Sequence, residues 1–204
     1  MVGEIFLGGE PMTGKLWIRY VVMAALLSMV WGPAAAASGF NYAGFSREAG
    51  LRLGYGKSLR KASVHLYSLF PRWGLFLIKP GNTLPGGLGI SFVVEGVFSI
   101  AEAEETGWEL GATPMLKLSL PIFSRVLLFV EGGAGVILEN INSPAIAHTF
   151  NFTPQIGGGV DIALSPRLGL TMAYRYRHSF NAGLYDENPA FNINLFQAGL
   201  TYYY

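Results

Sequence analysis

The chain has 204 residues, is 51% hydrophobic and 14% aromatic, and carries charge at only 13% of positions, about half the usual share of a soluble domain. Its formal net charge of +1 gives no electrostatic footprint for nucleic acid. With no cysteine, a disulfide framework and thiolate chemistry are both excluded.

At the N-terminus, Lys15 and Arg19 precede an apolar run over residues 20–31, followed by Pro33 and four alanines at 34–37. This is the order of a secretory signal peptide, and Ala35 and Ala37 suit the −3 and −1 positions of its cleavage site. The expected division is a cleaved signal peptide over 1–37 and one domain over 38–204. Glu4 and Glu10 are unusual for such a leader, which leaves Met1 or Met12 as the true start.

Beyond residue 40 no apolar run reaches the roughly 20 residues that a spanning helix needs. The pattern there has period two, which sends alternate side chains to opposite faces of a strand. Eight strands are predicted, at about 46–56, 61–78, 88–101, 107–120, 125–138, 149–164, 166–180 and 191–204. Pro71 is expected to interrupt the second. In the seventh, Leu168, Leu170, Met172, Tyr174, Tyr176, His178 and Phe180 oppose Arg167, Gly169, Thr171, Ala173, Arg175, Arg177 and Ser179. One face is apolar and aromatic, the other small and basic. Strands this long, with an apolar outer face and a Gly-rich inner one, predict an all-β fold: an eight-stranded antiparallel transmembrane β-barrel in the bacterial outer membrane. Backbone groups cannot stay unpaired in lipid, so the sheet must close.

Residues 121–124 and 165–166 are expected as short periplasmic turns, and 139–148 and 181–190 as longer outer loops. Phe196, Ala198, Leu200, Tyr202 and Tyr204 share one face at the C-terminus. Ending on Tyr204, this is the expected insertion signal for the outer-membrane assembly machinery.

By parity His178 faces lipid near the outer rim, above the aromatic belt of Tyr174 and Tyr176, with Asn192 and Asn194 on the same outward face of strand eight. A polar group there is a functional candidate. His65 has no assigned face, a lumen or loop position being favoured; His148 falls in a loop. No metal-ligand spacing or phosphate loop is present, and no cofactor is expected.

The stretch from Tyr174 to Leu184, which contains His178-Ser-Phe-Asn-Ala-Gly-Leu184, followed by Asn188-Pro189, resembles the PagL family of outer-membrane lipid A 3-O-deacylases. The residues 150–157 are similar to that family's sixth strand. The resemblance implies serine-type hydrolysis of the 3-O-linked hydroxyacyl ester of lipid A in the lipopolysaccharide leaflet, and it leaves a homodimer open. It implies His178 as general base, Asn192 in the place of the orienting group, and Asn188 with the Gly183 backbone N–H as oxyanion donors. Asp186 or Glu187 is the alternative acid. The family's serine stands two residues after the histidine, where this chain has Phe180. Ser179 is the expected nucleophile, but parity turns it into the barrel unless a β-bulge re-aims it. Arg175 and Arg177 could meet lipid A phosphates only if a loop or bulge exposes them. The rivals are a non-enzymatic barrel of the OmpA or OmpX type, a member that has lost its nucleophile, and a palmitoyl transferase of the PagP type.

Overall fold

A computed structural model of the chain describes residues 39–59, 64–81, 84–143, 146, 149–187 and 191–204. The signal peptide and its cleavage site, His148 and Asn188 lie outside the described residues. Eight antiparallel strands follow in chain order: β1 (Arg47–Ser58), β2 (His65–Ile78), β3 (Gly89–Glu102), β4 (Thr106–Phe123), β5 (Val126–Asn140), β6 (Phe150–Ala163), β7 (Leu168–Ser179) and β8 (Phe191–Tyr203). Each pairs with its sequence neighbour, and β8 pairs with β1 to close the barrel. Among the described residues no helix is long and apolar enough to cross a membrane.

Alternation along each strand builds the two faces. In β7 the odd positions Thr171, Arg175, Arg177 and Ser179 are buried, while Tyr174 and Tyr176 are exposed on the outside. In β5 Leu127, Phe129, Glu131, Ile137 and Glu139 point in, and Leu128, Val130, Val136 and Leu138 point out. This is the inside-out surface of a membrane barrel: the exterior is aliphatic and aromatic, and the charges are inside.

The lumen is filled in layers. Towards the loops β1–β2 and β7–β8, an apolar layer includes Leu66, Phe70, Val97, Phe191, Ile193 and Leu195. At the opposite end, Phe40, Phe45, Phe76, Leu127 and Tyr203 form a second. Between them lies an ionic belt. Glu131 receives Arg52 Nη1 at 2.9 Å and Arg72 Nη2 at 2.6 Å, and it also pairs with Arg175. Glu95 bridges Arg72 and Arg175, and Lys117 lies between Glu48 at 3.0 Å and Asp161 at 3.3 Å. Charges taken out of water demand such partners. A lumen packed in this way suits a small solid barrel better than a conducting pore. Small inward residues let the strands curve this tightly. A Cβ on Gly199 would strike the Leu51 carbonyl, and one on Gly133 the Pro114 carbonyl.

Two boundaries differ from the sequence pattern. Pro71 does not interrupt β2; it pairs with Leu51 on β1, and the β2–β3 ladder skips residues 70 and 71 before resuming at Arg72↔Glu95. A proline has no N–H to donate, so it is tolerated where one ladder lapses. Gly96 faces it from β3 and leaves room for the ring. Likewise β4 runs through Pro121 to Phe123 with a register shift, so the turn shrinks to Ser124 and Arg125. The 165–166 turn and the two longer loops fall where expected.

Candidate active site on the outer face

His178 and Asn192 are register partners on β7 and β8, and both side chains point away from the lumen. Asn192 Oδ1 stands 2.5 Å from His178 Nδ1 and accepts the Tyr176 hydroxyl at 2.9 Å. A carboxamide oxygen only accepts, so Nδ1 carries the imidazole proton and Nε2 is left with the lone pair. The arrangement is a histidine with one nitrogen fixed and the other basic, which is what a general base requires. Tyr176 had read only as part of the aromatic belt. Its place two residues before His178, on the same face, was the available sign of a closer role.

Ser179 and Phe180 divide as parity dictates. The β7–β8 ladder runs through His178↔Asn192 to Ser179↔Phe191 without a register shift, so no bulge re-aims the serine. Ser179 is 2% exposed, and its Oγ is buried without a hydrogen-bond partner. Phe180 takes the outward position two residues beyond the base. Its ring lies 5.3 Å from the imidazole, and its backbone bridges to Phe152 of β6.

The loop after β7 is an Asn-led turn. Asn181 Oδ1 accepts the Gly183 N–H at 2.9 Å, Asn181 Nδ2 donates to the Glu187 carbonyl at 2.6 Å, and Ala182 and Gly183 adopt φ of 55° and 77°. Such a side-chain-to-backbone turn is typical of asparagine. The Gly183 N–H expected as an oxyanion donor is therefore engaged by Asn181, a residue the motif reading passed over although it opens Asn-Ala-Gly. Asp186 and Glu187 are exposed in this loop, and neither hydrogen-bonds to His178. Arg175 and Arg177 are sealed in the lumen, on Glu95 and Glu131 and on Glu109, and present nothing to the exterior. His65 is neither in the lumen nor in a loop: it opens β2 on the outer face, with Nδ1 2.7 Å from the Tyr55 hydroxyl. Among the described residues no cluster of metal-ligand type occurs.

Below the histidine the wall is apolar and dented. A groove of about 720 Å³ is lined by Leu53, Gly158, Met172, Tyr174, Phe196 and Ala198, among others. It exists because Gly158 and Ala198 are small, whereas the Tyr174 and Phe196 rings, 5.1 Å apart, stand proud beside them. The groove reaches up to Tyr174, four residues short of His178 on the same face of β7, and can hold a hydrocarbon chain.

Comparison with known proteins gives a consistent picture. The family model for lipid A 3-O-deacylase (PagL) matches residues 65–201. The crystal structure of the outer membrane enzyme PagL is similar at a TM-score of 0.60 and 18% identity, covering 76% of this chain and 100% of that one. Neisserial surface protein A (NspA) is similar at a TM-score of 0.54 and 13% identity, covering 79% of this chain and 97% of that one. A search of curated proteins finds no match.

Proposed function

Because the chain belongs to the PagL family of lipid A 3-O-deacylases, we propose that it hydrolyses the 3-O-linked hydroxyacyl ester of lipid A from the outer leaflet of the outer membrane, with a water molecule as nucleophile. One observation carries this reading: the outward-facing His178, with Nδ1 held by Asn192 and Nε2 aimed away from it. Nε2 takes a proton from water as the water oxygen attacks the ester carbonyl carbon. The tetrahedral intermediate then collapses, the bond to the sugar O3 breaks, and the imidazolium returns the proton to that oxygen. The products are a free hydroxy acid and a 3-hydroxyl. No cofactor is called for.

Water is preferred to Ser179 because a hydroxyl on the lumen side of an unbroken ladder cannot give its proton to an exterior imidazole. Asn188 is the proposed oxyanion donor. The Gly183 N–H would join it only after releasing Asn181 Oδ1. The groove beneath His178 suits the acyl chain, and the C-terminal aromatic face ending at Tyr204 suits recognition by the assembly machinery.

A second reading is favoured by Phe180: a barrel that binds lipid A without cleaving it. Mass spectrometry of lipid A from cells expressing wild type, His178→Ala and Ser179→Ala decides between them. Loss of one hydroxyacyl mass with wild type and with Ser179→Ala, but not with His178→Ala, is the expected result. Loss abolished by Ser179→Ala would restore the serine mechanism, and unchanged lipid A throughout would favour the non-enzymatic barrel.

A further inference from the structure

A row of register partners crosses the outside of the barrel beside the histidine. Tyr176 pairs with Asn194, Asn194 with Lys57, Lys57 with His65, and His65 with Glu102. All five side chains take the outward parity of their strands. The next row inward is apolar and aromatic, running Tyr174–Phe196–Tyr55–Tyr67–Ile100–Trp108. The polar row therefore marks where the hydrocarbon-facing wall gives way to headgroups, since an ammonium is expensive any deeper.

Lys57 is the centre of this row. It is exposed, one residue from the loop end of β1, and makes no ion pair among the described residues. The other outward charges described at this end of the barrel are carboxylates: Glu102, Glu104, Glu105, Asp186 and Glu187. Among the described outward charges at this end, Lys57 is the cation that an arriving anion meets. Asn194, directly opposite, adds a carboxamide donor, and Asn192 is the diagonal neighbour one step up β8, roughly 7–8 Å away in such a ladder. A lysine stem spans most of that separation while keeping its ammonium in the headgroup layer.

We propose that Lys57 and Asn194 form an anion subsite on the outer wall that holds the phosphate of the substrate's sugar headgroup while its acyl ester lies at His178. Resting on the deacylase reading, this names what orients the headgroup. The lumen arginines cannot do so, being consumed by Glu95, Glu131 and Glu109. A phosphate on the sugar that bears the ester lies within a ring's width of it, matching the step from Lys57 to the His178–Asn192 pair. Charge-assisted hydrogen bonds to phosphate supply the affinity, and the apolar groove takes the chain.

The test separates binding from turnover. In a His178→Ala background, purified barrel in detergent micelles is titrated with diphosphorylated lipid A and with the same lipid A after phosphatase treatment, comparing Lys57, Lys57→Gln and Lys57→Arg. Lys57→Gln should weaken binding of the phosphorylated lipid about tenfold, Lys57→Arg should restore most of it, and dephosphorylated lipid should bind all three alike. Equal affinity of Lys57 and Lys57→Gln for the phosphorylated lipid would overturn the proposal, as would a loss that persists after dephosphorylation. Competition by millimolar inorganic phosphate as strong as that by lipid would overturn the assignment to a lipid headgroup. Because turnover is absent from the assay, a wild-type barrel that fails to hydrolyse lipid A refutes the functional reading without touching this result.

Discussion

Asn192 Oδ1 accepts from two donors at once, His178 Nδ1 at 2.5 Å and the Tyr176 hydroxyl at 2.9 Å, so the base and the tyrosine are tied to one amide oxygen. The carboxamide orients the imidazole but brings no charge to stabilise the imidazolium that forms during the reaction. Asn192→Asp keeps the side chain's length and adds that charge. It should raise the rate constant for release of the hydroxyacyl chain by about tenfold, measured by mass spectrometry of lipid A over time, whereas Asn192→Leu should lower it by about 100-fold.

Tyr176→Phe deletes the second donor and leaves the ring in the aromatic belt. With its oxygen held by the histidine alone, the Asn192 carboxamide can rotate, and the imidazole loses its fixed orientation. A fall of about three- to tenfold in kcat with KM unchanged is expected. A change in KM alone would show that the phenol meets substrate directly.

Phe180→Ser creates an outward hydroxyl two residues beyond His178, on the same face of the strand. It should raise deacylation by about tenfold or more and make the enzyme sensitive to organophosphonate esterase reagents, to which the parent should be inert. Removing Ser179 as well should change neither property, because its hydroxyl lies behind the wall.

The barrel and its site were unequally legible in the sequence. Period-two alternation is enforced by the contrast between lipid and a packed lumen, and it located every strand to within a few residues, the start of β2 being furthest off. It also put His178 and Asn192 on one face and Ser179 on the other. What it could not convey was cross-strand distance. The Tyr176–Asn192 bond, the Asn181–Gly183 turn and the Lys57 row depend on which residue lies opposite which, and register follows from loop geometry as much as from pattern. Pro71 misled because a proline's effect depends on which ladder needs its missing N–H. His65 had no face because the strand pattern fades at its own first residue.

Glu131 is the hub of the ionic belt, with Arg52, Arg72 and Arg175 on its two oxygens. Glu131→Gln leaves Arg72 and Arg175 with Glu95 as their one carboxylate and Arg52 with only the Gln197 amide oxygen, all in a buried belt. The expected loss is about 3–5 kcal/mol of stability, seen as a lower urea midpoint for the refolded barrel in lipid vesicles. Glu102→Gln, on the exposed exterior, should leave that midpoint unmoved.

The groove below the histidine makes a prediction about chain length. Ala198 stands between Leu53 and Met172 in one outward row, and its small side chain keeps the dent open beside Gly158. Ala198→Phe fills it without touching the lumen or the His178–Asn192 pair. If the scissile chain lies there, each methylene driven off the wall forfeits its packing contacts with the groove, a loss that grows with chain length even though the surrounding lipid is equally apolar. KM should therefore rise steeply for substrates with a long 3-O-acyl chain and little for short-chain analogues, while kcat holds. A uniform rise across chain lengths would mean that the acyl chain leaves the barrel wall and lies among the neighbouring lipids instead.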